Sequence, residues 1–469
     1  MRRLNGIDAD MLYGETPSSH LHVSALLILD PSTAPQGFGI DEWRRLVASE
    51  VRNLPPLRER LLEVPFGIDR PLWIDDPHFD LDRHIRHVAV PAPGGDRELA
   101  ALIGDLSGYK LDRSGPLWEM WFIEGLKDDR VAVFVKVHHA CADGMAGAMM
   151  LARLFVSEPR PAPDDPLPAP HSEVESLPSQ LELFARGLGS LALQPLRVAR
   201  TLGTTALSLR KALNRPRSRS GSSPALPFQA PRTKLNGPIT PHRCFSFSEV
   251  PLPDVNAVRK AFDVTVNDVV LAVCAGALRR TLDANGELPD RPLIAAVPVS
   301  VRSGEEFSGF GNVVSGLFVS LATDIDDPVE RLRAVARGAR SAKDLHASGI
   351  EDAVMEWASV PRPAAVALAV RLFSSLHITE RLPPIFNLLI SNVPGPPNPL
   401  YAAGARLEAC YPMGPLIDQI ALNVSVLSYV DSVGFGFLAC PEIIPEPWAI
   451  AEGIGASLEE LVSAAERMG

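Results

Sequence analysis

The stretch from residue 131 to residue 144 reads VAVFVKVHHACADG. Its mostly β-branched first half predicts a strand, which ends at His138 and His139 and is followed by a break at Asp143-Gly144. Successive side chains of a strand point to opposite faces, so the two imidazoles cannot serve the same surface. An imidazole at the tip of a stiff strand is well placed to act as a general base on a hydroxyl or thiol. The stretch therefore predicts one catalytic and one structural histidine.

The spacing His-His-x-x-x-Asp-Gly resembles the signature of the chloramphenicol-acetyltransferase-like superfamily of CoA- and carrier-dependent acyltransferases. The resemblance implies that His139 is the catalytic base and that His138 supports it, which agrees with a core position for His138. It also implies that Asp143, followed by Gly144, holds the loop by pairing with an arginine. Arg302, at the end of a predicted strand, is a candidate partner, and other arginines remain open.

Adjacent histidines are also compatible with a zinc site, since imidazole is a common metal ligand. The opposed side chains and the lack of another cluster with ligand spacing favour catalysis, so we predict no metal. The five cysteines are scattered without paired spacing, and Cys141 is assigned to packing. The resemblance implies acyl-CoA as a substrate and no bound cofactor.

Several function classes are disfavoured by length and composition. A chain of 469 residues exceeds one ordinary hydrophobic core, so we expect two domains with a cleft between them. The net charge of -11 gives no reason to expect nucleic acid as a partner. The sequence has no apolar run of membrane-span length and no signal-peptide core at its start, so we expect a cytoplasmic protein.

Composition divides the chain into three parts. A proline-dense stretch begins at Ser157, and we predict an N-terminal domain over residues 1–157, a linker over 158–240 and a C-terminal domain over 241–469. Within the linker, residues 177–213 have leucines at helical spacing with basic residues between them, and Pro195 divides this segment into two amphipathic helices. These helices either pack on the protein itself or contact a lipid surface, such as the inner membrane or a lipid inclusion.

Both flanking parts mix strands and helices. Strands are predicted over residues 21–29, 131–137, 293–301, 313–321, 386–391, 421–429 and 434–439. Helices are predicted over residues 41–51, 98–106, 267–282, 328–347 and 449–467. This order predicts an α/β protein with mixed sheets in two layers.

Further motifs resemble one branch of the superfamily, the bacterial wax ester synthase/diacylglycerol acyltransferases. The matching segments are the opening 4–17 with 20–23, the triplet Pro116-Leu117-Trp118, the pair Asn267-Asp268 and the triplet Asn392-Val393-Pro394. The resemblance implies two chloramphenicol-acetyltransferase-like domains, each a mixed sheet with flanking helices, and an active-site tunnel at their interface. Residues 431–437 lack the tryptophan of the related plant motif Asp-Phe-Gly-Trp-Gly, which fits the bacterial lipid branch.

These motifs also have physical readings of their own. Asn267 and Asp268 stand where a helix begins, which predicts an N-cap, and Asn267 is in addition a candidate donor to the reacting carbonyl. The segment beginning at Ser391 follows an apolar strand, so we predict a strand-exit turn that shapes a channel wall. Trp118 is either core or substrate wall.

The predicted activity is transfer of a long-chain acyl group from acyl-CoA to diacylglycerol, to a fatty alcohol or to both, with His139 as the general base. The products are then triacylglycerol or wax ester. Three alternatives remain open at this point: a carrier-protein-dependent acyltransferase or condensation enzyme of the same superfamily, a non-catalytic lipid-surface protein, and a metal hydrolase.

Overall fold

The computed structural model describes residues 1–141, 153–163, 179, 181–184, 229–300, 314–346 and 383–468. The strands in these ranges are β1 (Arg2–Arg3), β2 (His22–Asp30), β3 (Glu59–Leu62), β4 (Leu72–Asp75), β5 (Ile85–Ala89), β6 (Trp118–Glu124), β7 (Val131–His138), β8 (Cys244–Pro251), β9 (Ile294–Ser300), β10 (Val314–Ser320), β11 (Leu388–Val393), β12 (Tyr401–Ala402), β13 (Ala405–Met413), β14 (Leu422–Tyr429) and β15 (Ser432–Ala439). The α-helices are α1 (Gly6–Tyr13), α2 (Ile40–Glu50), α3 (Asp96–Gly108), α4 (Leu252–Phe262), α5 (Val266–Ala284), α6 (Pro328–His346) and α7 (Trp448–Glu466).

Some sequence predictions fall outside these ranges. They are Asp143, Gly144, Arg302 and nearly all of the amphipathic segment 177–213, of which only 179 and 181–184 are described. The predicted division at residues 157 and 240 stays a prediction.

The described strands form two mixed six-stranded sheets and a small sheet of order β1-β4-β3. The first large sheet has the order β12-β13-β2-β7-β6-β5, in which only β5 and β6 are parallel neighbours. The second has the order β10-β9-β11-β14-β15-β8, in which β11 runs parallel to both of its neighbours. The predicted α/β class with mixed sheets and flanking helices is confirmed.

One strand of the first sheet comes from the far end of the chain. β13 pairs antiparallel with β2 from Met413 opposite Ser24 to Arg406 opposite Asp30. No strand is predicted there from the sequence, because Pro412 lies inside it and proline is tolerated only where a backbone N–H has no strand partner. β13 meets that condition over most of its length, since its other neighbour, β12, pairs only with residues 405–406. The first sheet is therefore completed by residues that belong to the predicted C-terminal domain.

The two faces of β7 contribute to separate cores. Its four valines, including Val137, pack in a cluster with Trp43 and Trp118. Ala132 and Phe134 belong to a different cluster that includes α3 side chains. The predicted alternation along residues 131–137 is confirmed. The buried helix α5 belongs to the core of the second sheet and packs against α4, α6 and α7.

Within the described residues, no helix taken singly combines the length and the apolar composition of a membrane span. The helices α4 and α5, bent by 104° where they meet, satisfy that test only as a pair.

Candidate active site

The end of β7 is anchored on both sides by backbone hydrogen bonds. The His138 N–H donates to the Leu117 carbonyl at 2.9 Å, and the His139 N–H donates to the Leu21 carbonyl at 2.8 Å. Leu21 has a left-handed backbone (φ 48°), an uncommon conformation for a leucine, and strained backbone of this kind concentrates at functional sites. His139 is half-buried, in the turn that follows the strand. The strand end therefore holds the backbone of His139 in one place.

His138 is buried, with 1% of its surface exposed. Its Nδ1 accepts a hydrogen bond from the Ala140 N–H at 3.0 Å, and its Nε2 lies 3.3 Å from Oε1 of Glu15. Because an accepting Nδ1 carries no proton, the proton of the neutral ring is on Nε2, facing the carboxylate. His138 thus lies in the core, with a hydrogen-bond partner at Nδ1.

Glu15 is the centre of a polar cluster that also contains the buried His22 and the partly exposed Arg113. Its Oε2 is 2.5 Å from Nη2 of Arg113, and its Oε1 is 3.8 Å from Nε2 of His22. Burial raises the pKa of the Glu15 carboxyl, but the contact with His138 and the positive charge of Arg113 outweigh burial, so this pKa is lowered overall. Glu15 is therefore a carboxylate beside the strand end.

The histidines of this cluster are kept neutral. Burial is the main cause in each case: it lowers the pKa of His20 to about 4, that of His22 well below its ordinary value, and that of His138 in the same direction. The rings of His20 and His22 are 5.6 Å apart, and those of His22 and His138 are 6.0 Å apart. The positive charge paired with Glu15 therefore comes from Arg113.

The triplet Pro116-Leu117-Trp118 lies directly beside β7. Leu117 supplies the carbonyl that accepts from His138, and Trp118 is opposite Val137 in the sheet. Trp118 is 1% exposed, and its Nε1 donates to the Leu57 carbonyl at 2.8 Å. Of the two predicted roles for Trp118, core packing is the one that it has.

The pair Asn267-Asp268 opens α5, but neither residue is the N-cap. The N-cap is Thr265, whose Oγ1 accepts from the Asp268 N–H at 3.2 Å, while Oδ2 of Asp268 accepts from the Thr265 N–H at 2.9 Å. The predicted N-cap was wrong by two residues for Asn267 and by three for Asp268, because asparagine, aspartate and threonine are all common near this end of a helix.

The structure brings two of the predicted motifs together. Nδ2 of Asn392 donates to Oδ1 of Asn267 at 3.2 Å, which links the end of β11 to the start of α5. β11 continues through Val393, so Asn392 and Val393 lie within the strand and only Pro394 follows it. The prediction of a turn that begins at Ser391 was therefore wrong, since the ladder with β14 extends to the last residue before the proline.

The turn after β7 also contains Cys141, which is not suited to act as a nucleophile. Cys141 is buried, and burial raises the pKa of its thiol, which disfavours the thiolate form of a nucleophile. Within the described residues, no group of three or more His, Cys, Asp or Glu side chains is arranged to hold a metal ion.

Sequence reasoning missed Glu15 and Arg113, which are 98 residues apart in the chain. One signal was present for their neighbours. His20 and His22 are separated by one residue at the start of a predicted strand, so their side chains share a face. No local pattern indicates which carboxylate reaches that face.

Solved structures with the same architecture include synthetase condensation domains. The first condensation domain of the calcium-dependent antibiotic synthetase matches 99% of this chain and 96% of its own length, with a TM-score of 0.57 and 16% sequence identity. At that identity the likeness concerns the fold alone. This chain therefore has the same fold as these condensation domains.

Closer similarities identify the family. The family models described as wax ester synthase/diacylglycerol acyltransferase catalytic domain and WS/DGAT C-terminal domain match residues 4–270 and 310–462. The putative diacylglycerol O-acyltransferase Rv1760 of Mycobacterium tuberculosis is 40% identical over 99% of this chain and 91% of its own. The wax ester synthase/diacylglycerol acyltransferase of Marinobacter aquaeolei VT8 is 31% identical, with a TM-score of 0.70 over 99% of this chain and 100% of its own. The chain belongs to the wax ester synthase/diacylglycerol acyltransferase family.

The predicted class of enzyme, an acyl-CoA-dependent acyltransferase, is thereby confirmed. The carrier-dependent and non-catalytic alternatives are not favoured, because the family matches cover most of the chain and the condensation domains are far more distant in sequence.

Proposed function

We propose that the enzyme transfers a long-chain acyl group from acyl-CoA to the hydroxyl of diacylglycerol or of a fatty alcohol, with His139 as the general base. His139 accepts the hydroxyl proton as the oxygen attacks the thioester carbonyl. A carbon–oxygen bond forms, the carbon–sulfur bond breaks, and the proton passes from His139 to the departing CoA thiolate. The products are triacylglycerol or wax ester and free CoA.

One observation supports His139 as the base: the ring of its neighbour His138 is buried and already engaged with other groups. Nδ1 of His138 accepts from Ala140, Nε2 faces Glu15, and the residue is 1% exposed. A base must reach the proton that it abstracts, and a ring that is buried in the core with its Nδ1 already hydrogen-bonded cannot do so. His139 is half-buried and stands at the end of the strand, so it has the accessibility that the role requires.

We assign Asn267 the role of a donor to the developing oxyanion. The carbonyl end of its amide is occupied by Asn392, so its NH₂ group is the end that can donate to a ligand. A positioned amide donor of this kind typically contributes about 10²- to 10³-fold to kcat. An Asn267→Ala variant with the kcat of the wild type would exclude this role.

We also propose that the enzyme works at a lipid surface, because both acceptors are insoluble in water. Phe66 is 85% exposed on a β3–β4 loop with a left-handed backbone (φ 59°), and Leu181 is 76% exposed. The Phe66 ring is 6.1 Å from that of Phe184, so the two segments form one apolar projection. Exposed aromatic and aliphatic side chains of this kind suit the interface of a bilayer or a lipid inclusion.

The experiment that tests the catalytic proposal is a His139→Ala substitution assayed with labelled palmitoyl-CoA against diacylglycerol and against a fatty alcohol. Loss of the base is expected to lower kcat by about 10²- to 10⁴-fold with either acceptor. His78→Ala, which removes an exposed histidine of the same half, is the matched control and is expected to retain full activity. A His139→Ala enzyme as active as the control would refute the proposal.

A further inference from the structure

We infer that Glu15 is a positioning residue for the reaction, which acts on His139 through the ring of His138. This inference rests on the proposed function of His139. It assigns to Glu15 a task beyond stability: the carboxylate selects the tautomer of His138, and that tautomer orders the turn from which His139 projects.

First, the position of the His138 proton depends on the partners of its two ring nitrogens. A neutral imidazole carries its proton on one nitrogen, and the partner of each nitrogen decides which one. Oε1 of Glu15 faces Nε2 at 3.3 Å, slightly longer than an ordinary hydrogen bond, and favours the proton there. Nδ1 is then left as the acceptor that the Ala140 N–H requires. The opposite tautomer would direct two N–H groups at each other in a buried site.

The second step concerns how Glu15 itself is held. Its side chain is 9% exposed, and its other oxygen is 2.5 Å from Nη2 of Arg113. The same Nη2 donates to the Leu12 carbonyl at 2.7 Å, at the end of α1. The carboxylate is thus fixed between an arginine and a helix end, and its lowered pKa keeps it charged near neutral pH. A fixed charge can orient the ring beside it.

The third step connects His138 to the catalytic ring. His138 binds the following turn at two points: its ring accepts from Ala140 N–H, and its backbone carbonyl accepts from the Cys141 N–H at 2.9 Å. His139 lies between these contacts and is held from the other side by the Leu21 carbonyl. A change of tautomer at His138 removes the Ala140 contact and allows the turn, and with it the His139 ring, to rotate.

The decisive experiment measures kcat and KM of Glu15→Ala and Glu15→Gln. Partners that fix the tautomer of a metal-binding histidine typically matter by about 10- to 100-fold, and we expect a loss of similar size in kcat for Glu15→Ala. KM for palmitoyl-CoA should change little, because Glu15 acts behind the ring and not on the substrate. Glu15→Gln retains an acceptor oxygen for Nε2–H and is expected to lose less, and it also serves if the alanine variant does not fold.

Glu119→Gln is the matched control. Glu119 is another poorly exposed carboxylate that pairs with a cation at 2.5 Å, Nζ of Lys136, on the same strand as His138. This variant should lose a comparable amount of thermal stability and keep the wild-type kcat. Equal losses of kcat in Glu15→Gln and Glu119→Gln would reduce Glu15 to a structural role and overturn the inference.

A spectroscopic readout separates tautomer from stability. In histidine-labelled enzyme, ¹⁵N NMR should report an Nε2-protonated ring for His138, assigned by the signal that disappears in His138→Gln, and a shift of that signal in Glu15→Ala. An unchanged tautomer, or a wild-type kcat for Glu15→Ala, overturns the inference while the proposed function stands if His139→Ala is inactive. An active His139→Ala enzyme ends the proposed function itself.

Discussion

Three buried histidines beside the strand end are held neutral, and the carboxylate of Glu15 is paired with Arg113. Neutrality keeps Nδ1 of His138 available as a hydrogen-bond acceptor for the Ala140 N–H. A protonated ring at His138 would donate from both nitrogens, and Nδ1 could no longer accept from Ala140. The geometry of the turn therefore requires that the His138 ring be neutral.

The same burial makes folding sensitive to acid. The pKa of His20 is lowered from 6.5 to about 4, so the unfolded chain binds a proton between these values that the folded chain does not. Stability is present above pH 6.5 and is lost as the pH falls toward 4. His20→Gln should flatten this part of the stability curve by on the order of 1 kcal/mol, measured by urea unfolding across the range. Parallel curves for the two proteins would contradict this account.

For individual residues, only features that depend on neighbouring positions in the chain could be predicted from the sequence. The alternation along β7 assigned Val137 and Phe134 to different cores, because a strand has a period of two. The partner of His138 could not be predicted, because Glu15 reaches it only after α1 and β2 have folded against β7. Asp143 and Arg302 remain predictions from the resemblance.

Among the elements, β13 does the most to join the two large sheets. It pairs with β2 of the first sheet and packs against β15 of the second. Two glycines of β15 make this approach possible. A Cβ at Gly434 would lie 2.8 Å from the Cys410 carbonyl oxygen, and one at Gly436 would overlap the Pro412 carbonyl oxygen.

A Gly436→Ala substitution should therefore force the sheets apart. Overpacking of this kind costs about 1–3 kcal/mol, and we expect a loss of that order in the free energy of unfolding in urea. Gly316→Ala is the control, because a Cβ at this other strand glycine meets no atom within 4 Å. Equal stabilities of the two variants would show that the contact between β13 and β15 is looser than described.

The N-cap of α5 and the strand β13 were not predicted correctly from sequence patterns. The N-cap of α5 was assigned to Asn267 or Asp268 instead of Thr265, because Thr265 and Asp268 form a reciprocal capping box and either residue type is common at the cap. β13 was not predicted at all, because Pro412 lies inside it and the alternation that identifies a strand is lost after the register shift between Leu407 and Ala409. β13 forms a strand because it pairs with the edge of β2, which is distant in the sequence.

For the molecule as a whole, the lipid-surface proposal predicts separate effects on binding and on chemistry. A double variant with Phe66→Ser and Leu181→Ser should weaken binding to vesicles that contain diacylglycerol, measured by co-sedimentation, by about 100-fold or more, since each large apolar side chain contributes on the order of 1.5–3 kcal/mol when fully buried. Its kcat with a short-chain, water-soluble alcohol should not change, because neither residue belongs to the proposed catalytic machinery.

Ile385→Ser is the control for this comparison, since Ile385 is also exposed (41%) and lies beside the second sheet. Unaltered vesicle binding in the double variant, or an equal loss in Ile385→Ser, would remove the projection formed by Phe66, Leu181 and Phe184 from the lipid contact.

The crossing of β13 has a consequence for biosynthesis. A ribosome completes β2 near the beginning of translation, but the strand that covers its outer edge is made only when most of the polypeptide has been synthesised. At about 5–20 residues per second, the outer edge of β2 stays uncovered for tens of seconds, and an exposed strand edge invites intermolecular pairing. Premature termination before residue 405 would leave that edge open, so the damage would fall on a sheet built mainly from the opening part of the product.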